Sequence, residues 1–395
     1  MRDRLDVFAK PPESAIRLVL MHPHCRPARF GHALAAFLFV LLSSTARAAE
    51  HPPGVWLEQD FSRLPLPRSG YQVYLVGELH GVKEMGDVLL QYLAALQKDA
   101  GVRDVALEED AVYATAAQEY VSGHTSDLPE ELCLRAGILR ALRELNEARG
   151  TADQVRVHLV DVDSPETAIR QHLLSIRGRI SAGLSVPIPD GPAVAAEGLA
   201  AVDALARQTD AKELHRELRT VARSIGALRA GFRVGTGRSE GTSVYLEDRE
   251  AAIAEHIRDL VESRGPVIAL YGSTHVSKKP RMDGGPARDQ EFAPLALRLE
   301  QANLEVFSLV VFPLSGRSRW RGSEGELPWT AGDGWLSGGD TLDKVFASVP
   351  GAKWLYVDPR RQRVELPSRE ISGFTADGFL LPATGAPMEY ECPRP

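Results

Sequence analysis

The sequence predicts an α/β fold, with a central mixed, mostly parallel sheet flanked by helices and a helical insertion, or cap, in mid-chain. Three observations carry that expectation. Several short runs rich in Val, Leu and Tyr are apolar on both faces, as strands covered on both sides must be. Helical patterns separate these runs instead of tight hairpin turns. The chain opens its folded part as strand, helix, strand, a unit expected to be parallel and right-handed.

The elements follow in order. "YQVYLV" (Tyr71 to Val76) is the first strand, and "DVLLQYLAAL" (Asp87 to Leu96) has the i, i+3, i+4 spacing of a buried helical face. "VRDVALE" (Val102 to Glu108) and "VRVHLVDV" (Val155 to Val162) are the next strands, then "VIALY" (Val267 to Tyr271) and "LEVFSLVVF" (Leu304 to Phe312). The middle, from about 111 to 264, is mostly helical, as in "EELCLRAGILRALRELNEA" (Glu130 to Ala148). "GLSVPIPDGPA" (Gly183 to Ala193) and "AGFRVGTGRSEGTS" (Ala230 to Ser243) interrupt it as loops. The second has no strand before it and the wrong glycine spacing for a nucleotide fingerprint. From about 313 the chain becomes loop-rich, with Trp320, Trp329 and Trp335 expected to plug a core edge and "KWLYVD" (Lys353 to Asp358) to form a late edge strand.

Residues 1–48 stand apart from the single domain expected over 49–395. Arg26 and Arg29 precede "ALAAFLFVLL" (Ala33 to Leu42), then small residues and "ARA" (Ala46 to Ala48), the order of a signal peptide cleaved near Ala48. The apolar run is short for a bilayer span. An uncleaved anchor is the alternative, and Met21 is an alternative start for an unusually long leader. The expected location is the periplasm or the exterior, with no stable membrane span after cleavage.

Without residues 1–48 the chain keeps 39 Lys and Arg against 50 Asp and Glu, a net charge of −11. That balance argues against a nucleic-acid partner, for which a basic face is expected, and leaves room for a local basic pocket. A small molecule or a peptide is the expected substrate. Cys133 and Cys392 remain, and an oxidising compartment would allow them to pair; two scattered cysteines make no zinc pattern.

Open α/β sheets bind ligands beyond the carboxyl ends of their strands. Here those ends carry Glu78 and His80, then Glu108, Glu109 and Asp110, then Asp161 and Asp163, then His275. Two of them share the form Gly-x-x-His, Gly77 to His80 and Gly272 to His275. With 34 glycines and 11 histidines, about one such match arises by chance, so placement counts for more than number. Glycine there is expected to turn the chain through positive φ. Glu109 is expected to face solvent, and Asp161 and Asp163 to cap the helix starting near Pro165. Arg249, early in "YLEDREAAIAEHI" (Tyr245 to Ile257), either pairs with Glu250 or Glu255 or serves as an oriented cation. His124, His158, His172, His215 and His256 lack strand-end context and read as packing or surface residues.

The order "GELHG", "ALEED", "VHLVDVD", "DREAAIAEHI", "YGSTHV" resembles the superfamily that joins erythromycin esterases, ChaN-like proteins and Tiki/TraB proteins, over roughly Tyr71 to Phe312. The esterase branch has one more residue between Glu and His; the Tiki/TraB branch has both Gly-x-x-His motifs but as a rule no glutamate in the first. Gly-Glu-x-His of the ChaN-like branch is the best local match. The resemblance implies a cleft at the strand ends and function at Glu78, His80, Glu108, Arg249 and His275. It implies a hydrolase of an ester, lactone or amide, with haem or iron binding as the alternative. A metal route would use His80, His275 and Glu108 as ligands of one divalent ion, with Glu78 as orienter or base. A metal-free route would use His80 as base, Glu78 or Glu108 to set its tautomer, and Arg249 with His275 for the oxyanion. Haem binding would need an exposed ligand, for which Tyr71, Tyr74 and Tyr113 are nearby in sequence.

Overall fold

The computed structural model describes residues 52–162, 164–229, 242–282, 291–320, 323–327, 334–365 and 375–388. The leader-like residues 1–48, Asp163, Cys392 and most of the loop 230–243 lie outside them.

The strands of the main sheet are β1 (Val55–Glu58), β2 (Val73–Glu78), β3 (Asp104–Asp110), β4 (Arg156–Asp161), β5 (Val267–Gly272), β6 (Val306–Val311), β7 (Trp354–Val357) and β8 (Gly378–Pro382). Their order is β1-β7-β8-β6-β2-β5-β3-β4. The six strands from β8 to β4 are parallel, and at one side β7 runs antiparallel to both of its neighbours, β8 and β1. The sheet is therefore mixed and mostly parallel, as the doubly apolar runs require. The late strand β7, expected at an edge, lies between β1 and β8 instead, and β1 is the edge strand. Its burial on both faces is the reason "WLY" is so apolar.

Helices α1 (Glu84–Ala100), α2 (Ala114–Val121) and α3 (Ala136–Glu147) cover one face. α1 presents Val88, Leu89, Tyr92, Leu93 and Leu96 to it, the stripe that the sequence spacing predicts, and ends at Gly101 in the left-handed conformation. Within the mainly helical span 111–264, α4 (Glu166–Ile180), α5 (Ala193–Ala206) and α6 (Lys212–Arg229) enclose a small core of their own around Ile169, Leu173, Val202 and Ile225. α7 (Thr242–Arg264), α8 (Leu295–Gln301) and α9 (Leu342–Ala347) cover the opposite face of the sheet. Trp335 is 47% exposed and plugs nothing, contrary to its expected role; the side chains of Trp320 and Trp329 lie outside the described residues. Among the described residues no helix is long and apolar enough to cross a membrane. Cys133 is disulfide-bonded.

Candidate active site

Strand order brings the two Gly-x-x-His segments together. β5 lies between β2 and β3, and Glu78 stands opposite Gly272 in the register. The two motifs are thus neighbours offset by one residue, which puts Gly272 beneath the His80 ring. A Cβ on Gly272 would lie 2.8 Å from His80 Nε2 and 3.3 Å from Glu108 Oε2. A Cβ on Gly77 would overlap Val276, in the turn that carries His275. Close approach explains both glycines. Positive φ does not, because Gly272 has φ −51° and Gly77 is not among the positive-φ residues. The left-handed glycine of the motif is Gly81, φ 81°, where a side chain would collide with the backbone of Arg319.

Gly272→Ala and Gly77→Ala are expected to separate. The first displaces His80 and Glu108 and removes any activity that depends on them while the fold persists. The second strains the packing of the turn and costs about 1–3 kcal/mol of stability. Denaturant melts and an activity assay on both variants check this, and a fully active Gly272→Ala protein contradicts it.

Two arginines clamp the strand-end acids, one from each face. Tyr74 and Val76 point towards α1, and by alternation so does Glu78; Val105 and Leu107 do the same on β3, and Glu109, beyond the register shift that follows Leu107, meets Arg135 on that side. On that side Arg135 donates from Nη1 to Glu78 Oε2 at 3.0 Å, from Nη2 to Glu78 Oε1 at 2.6 Å and from Nε to Glu109 Oε1 at 2.9 Å. Glu109 is therefore clamped, not solvated as expected. From the α7 side Arg249 donates from Nε to Asp161 Oδ1 at 3.0 Å and from Nη2 to Glu108 Oε1 at 2.8 Å, and it also pairs with Asp161 Oδ2. Asp161 is thus a clamp acid and not a helix cap, and α4 starts after Pro165 without a side-chain cap. Arg249 takes neither Glu255, which pairs with Arg223, nor Glu250, which pairs with His275.

The histidines sit between these clamps. His80 Nδ1 is 3.1 Å from Glu78 Oε1, and its Nε2 is 4.0 Å from Glu108 Oε2. Burial would raise Glu78, but Arg135 and His80 bring it down to about 2, so it is a carboxylate that accepts from Nδ1. The neutral ring then carries its lone pair on Nε2, and this side chain is 33% exposed. His275 is 8% exposed, with Nε2 3.1 Å from Glu108 Oε1 and Nδ1 against the fully buried Glu250. Burial opposes its charge, yet Glu250 and Glu108 overcome that and push it up to about 10. Glu108 is buried too, but His275, His80 and Arg249 hold it well below the usual carboxylate range, and it also accepts the Gly272 N–H at 2.6 Å. Burial pushes Glu109 up to about 6 against the pull of Arg135, and Asp110 up to about 7.

The signs of two of these shifts set the pH window. His275, raised from 6.5 to about 10, contributes stability in full below pH 6.5 and loses it as pH rises towards 10. Glu78, lowered from 4.5 to about 2, contributes above pH 4.5 and loses it as pH falls towards 2. At about 1.4 kcal/mol per unit, the alkaline loss is on the order of a few kcal/mol. Thermal midpoints from pH 6 to 10 should fall for the wild type and much less for Glu250→Gln; a flat wild-type profile contradicts the assignment.

Glu78, His80 and Glu108 each place a possible ligand atom within 4.8 Å of the others. The donors do not suit a divalent ion as arranged. Both Glu78 oxygens carry Arg135, Glu108 Oε1 carries Arg249 and His275, and Glu108 Oε2 carries a backbone N–H. Both nitrogens of His275 face carboxylates, and an imidazolium has no lone pair to give. Of the tyrosines considered for haem, Tyr74 is buried in the core, four residues and about 13 Å along β2 from Glu78. Tyr71 packs on Phe307 at the same far end. Tyr113 follows β3 directly and is partly buried. His158, His215 and His256 hydrogen-bond Asp104, the Thr209 carbonyl and the Val160 carbonyl, away from the cleft, and His172 faces Glu217.

Sequence reasoning missed Arg135 and gave Glu250 only as a partner for Arg249. The one signal was an arginine just before an apolar helical stripe, which a surface arginine also shows.

No protein-family model matches the chain, and no curated protein matches it in sequence. Solved structures do resemble it. A protein from Bacillus cereus superposes with a TM-score of 0.58 at 13% identity, covering 82% of this chain and 91% of its own. A succinoglycan biosynthesis protein superposes at 0.57 and 14% identity, covering 80% and 88%. A histidine-to-asparagine mutant of the erythromycin esterase EreC, in its open conformation, superposes at 0.57 and 13% identity, covering 83% and 94%. The chain shares the fold of these proteins.

Proposed function

We propose that the protein is a metal-free hydrolase of an ester or lactone, with His80 as the general base. The observation that carries this reading is the partly exposed His80 ring. Its Nδ1 is engaged by a carboxylate that Arg135 already holds, and its Nε2 lies over Gly272, 4.0 Å from Glu108 Oε2. The fold shared with an erythromycin esterase supports it.

The chemistry balances with this chain's own groups. A water hydrogen-bonded to His80 Nε2, beside Glu108 Oε2, loses a proton to Nε2 as its oxygen bonds to the substrate carbonyl carbon. Arg249 and His275, which both meet Glu108 Oε1 and lie 3.5 Å apart, stabilise the negative oxygen that develops. The tetrahedral species collapses, the carbon–oxygen bond to the leaving alcohol breaks, and His80 Nε2 returns the proton to it. Glu78 orients the ring and takes no proton. Export is part of the proposal, supported by the leader-like order of residues 1–48 and by a disulfide at Cys133.

Hydrolysis of 4-nitrophenyl acetate, 4-nitrophenyl butyrate and a macrocyclic lactone, before and after dialysis against a chelator, tests the reading. Turnover that survives chelation is expected. Inactivity on all three, or activity lost on chelation and restored by one divalent metal, overturns it.

A further inference from the structure

Arg135 has no counterpart in any motif of this sequence, yet it is the most completely enclosed cation of the site, 3% exposed. It is the last residue of the 3-10 turn Glu130–Arg135 and the residue before α3. That turn is held by the buried Leu132, and α3 is anchored by Ile138, Leu139 and Leu142. The guanidinium is thus delivered by an element that cannot easily yield. Its Nε and both Nη atoms meet two carboxylates from adjacent parts of the sheet end.

We infer that Arg135 is a positioning residue: by holding both oxygens of Glu78 and one of Glu109, it sets the angle at which Glu78 meets His80 and so keeps His80 Nε2 in place over Gly272 and beside Glu108 Oε2. This rests on the hydrolase reading. Stability alone is a weak reason for such a group, because a buried ion pair is often no better than apolar residues of the same volume. A planar fork with three directed donors gives something an apolar cluster and a lysine do not, a carboxylate fixed in rotation about its own axis. The Glu78 oxygens are each approached by one Nη, and Oε1 alone is shared with His80. With the fork gone, Glu78 is free to rotate and the ring loses its reference.

The test uses Arg135→Ala and Arg135→Lys in the full chain, with 4-nitrophenyl acetate as the probe. For both variants kcat is expected to fall about 10²-fold, with KM moving less than about threefold. Millimolar guanidinium should restore at least about tenfold in Arg135→Ala, and nothing in Arg135→Ala combined with Glu78→Gln. Nitrogen-15 spectra of the His80 ring supply a readout that needs no turnover. The wild type should show a single Nδ1–H tautomer and Arg135→Lys a mixture. A folded Arg135→Lys protein with wild-type kcat, or an unchanged His80 tautomer in it, overturns the inference. Should Arg135→Ala not fold, the lysine variant decides alone. A wild type inactive on every ester but with an Arg135-dependent tautomer sinks the hydrolase reading and leaves the positioning role standing.

Discussion

Replacing His80 with alanine is expected to lower kcat/KM for ester hydrolysis by about 10²–10⁴-fold, the range spanned by loss of a general base. The loss should fall on kcat. Little stability should go with it, because the ring is one-third exposed. Its hydrogen bond to Glu78 is dispensable to the fold, since Arg135 already satisfies both oxygens of that carboxylate. Steady-state kinetics with a denaturant melt on the same sample check both halves. A variant within tenfold of the wild type removes His80 from the chemistry.

Arg249→Met is expected to behave differently and to cost about 3–5 kcal/mol of stability as well as activity. It leaves Glu108 and Asp161 in a buried site without their shared counter-charge, the situation in which breaking an ion pair is most damaging. Arg249→Lys keeps the charge but places one nitrogen where the native fork spans two carboxylates, so it should recover only part of the loss. Urea titration measures the difference. If Arg249→Met lies within about 1 kcal/mol of the wild type, the clamp is not what holds these acids.

Much of this site was legible in the chain, for a reason that its own residues show. Glu78, His80, Glu108 and His275 each follow an apolar run, and a parallel sheet gathers the carboxyl ends of its strands at one edge, so their convergence could be argued without coordinates. The roles were less legible. Asp161 read as a helix cap because a proline and a helix follow it, and that local pattern is indifferent to an arginine 88 residues later. Glu109 read as solvated because it adjoins two other acids, and its partner is 26 residues further on in another element. The shared histidine motif suggested a metal pair. The contacts set His275 between two carboxylates and His80 beside Glu78 and Glu108.

The sequence by itself determined the α/β class, the parallel strands, the helices that cover them and the acids and histidines at the strand ends. These follow from periodicity and from short-range turn chemistry, which each segment carries within itself. Strand order was decided only in the tertiary structure. β5, about 160 residues beyond β3 in the chain, enters between β2 and β3, and that insertion seats Gly272 under His80 and Glu108 beside His275. The two arginine clamps belong to the same level. A guanidinium chooses its carboxylates by what packing brings within about 3 Å, and no spacing along the chain encodes that distance.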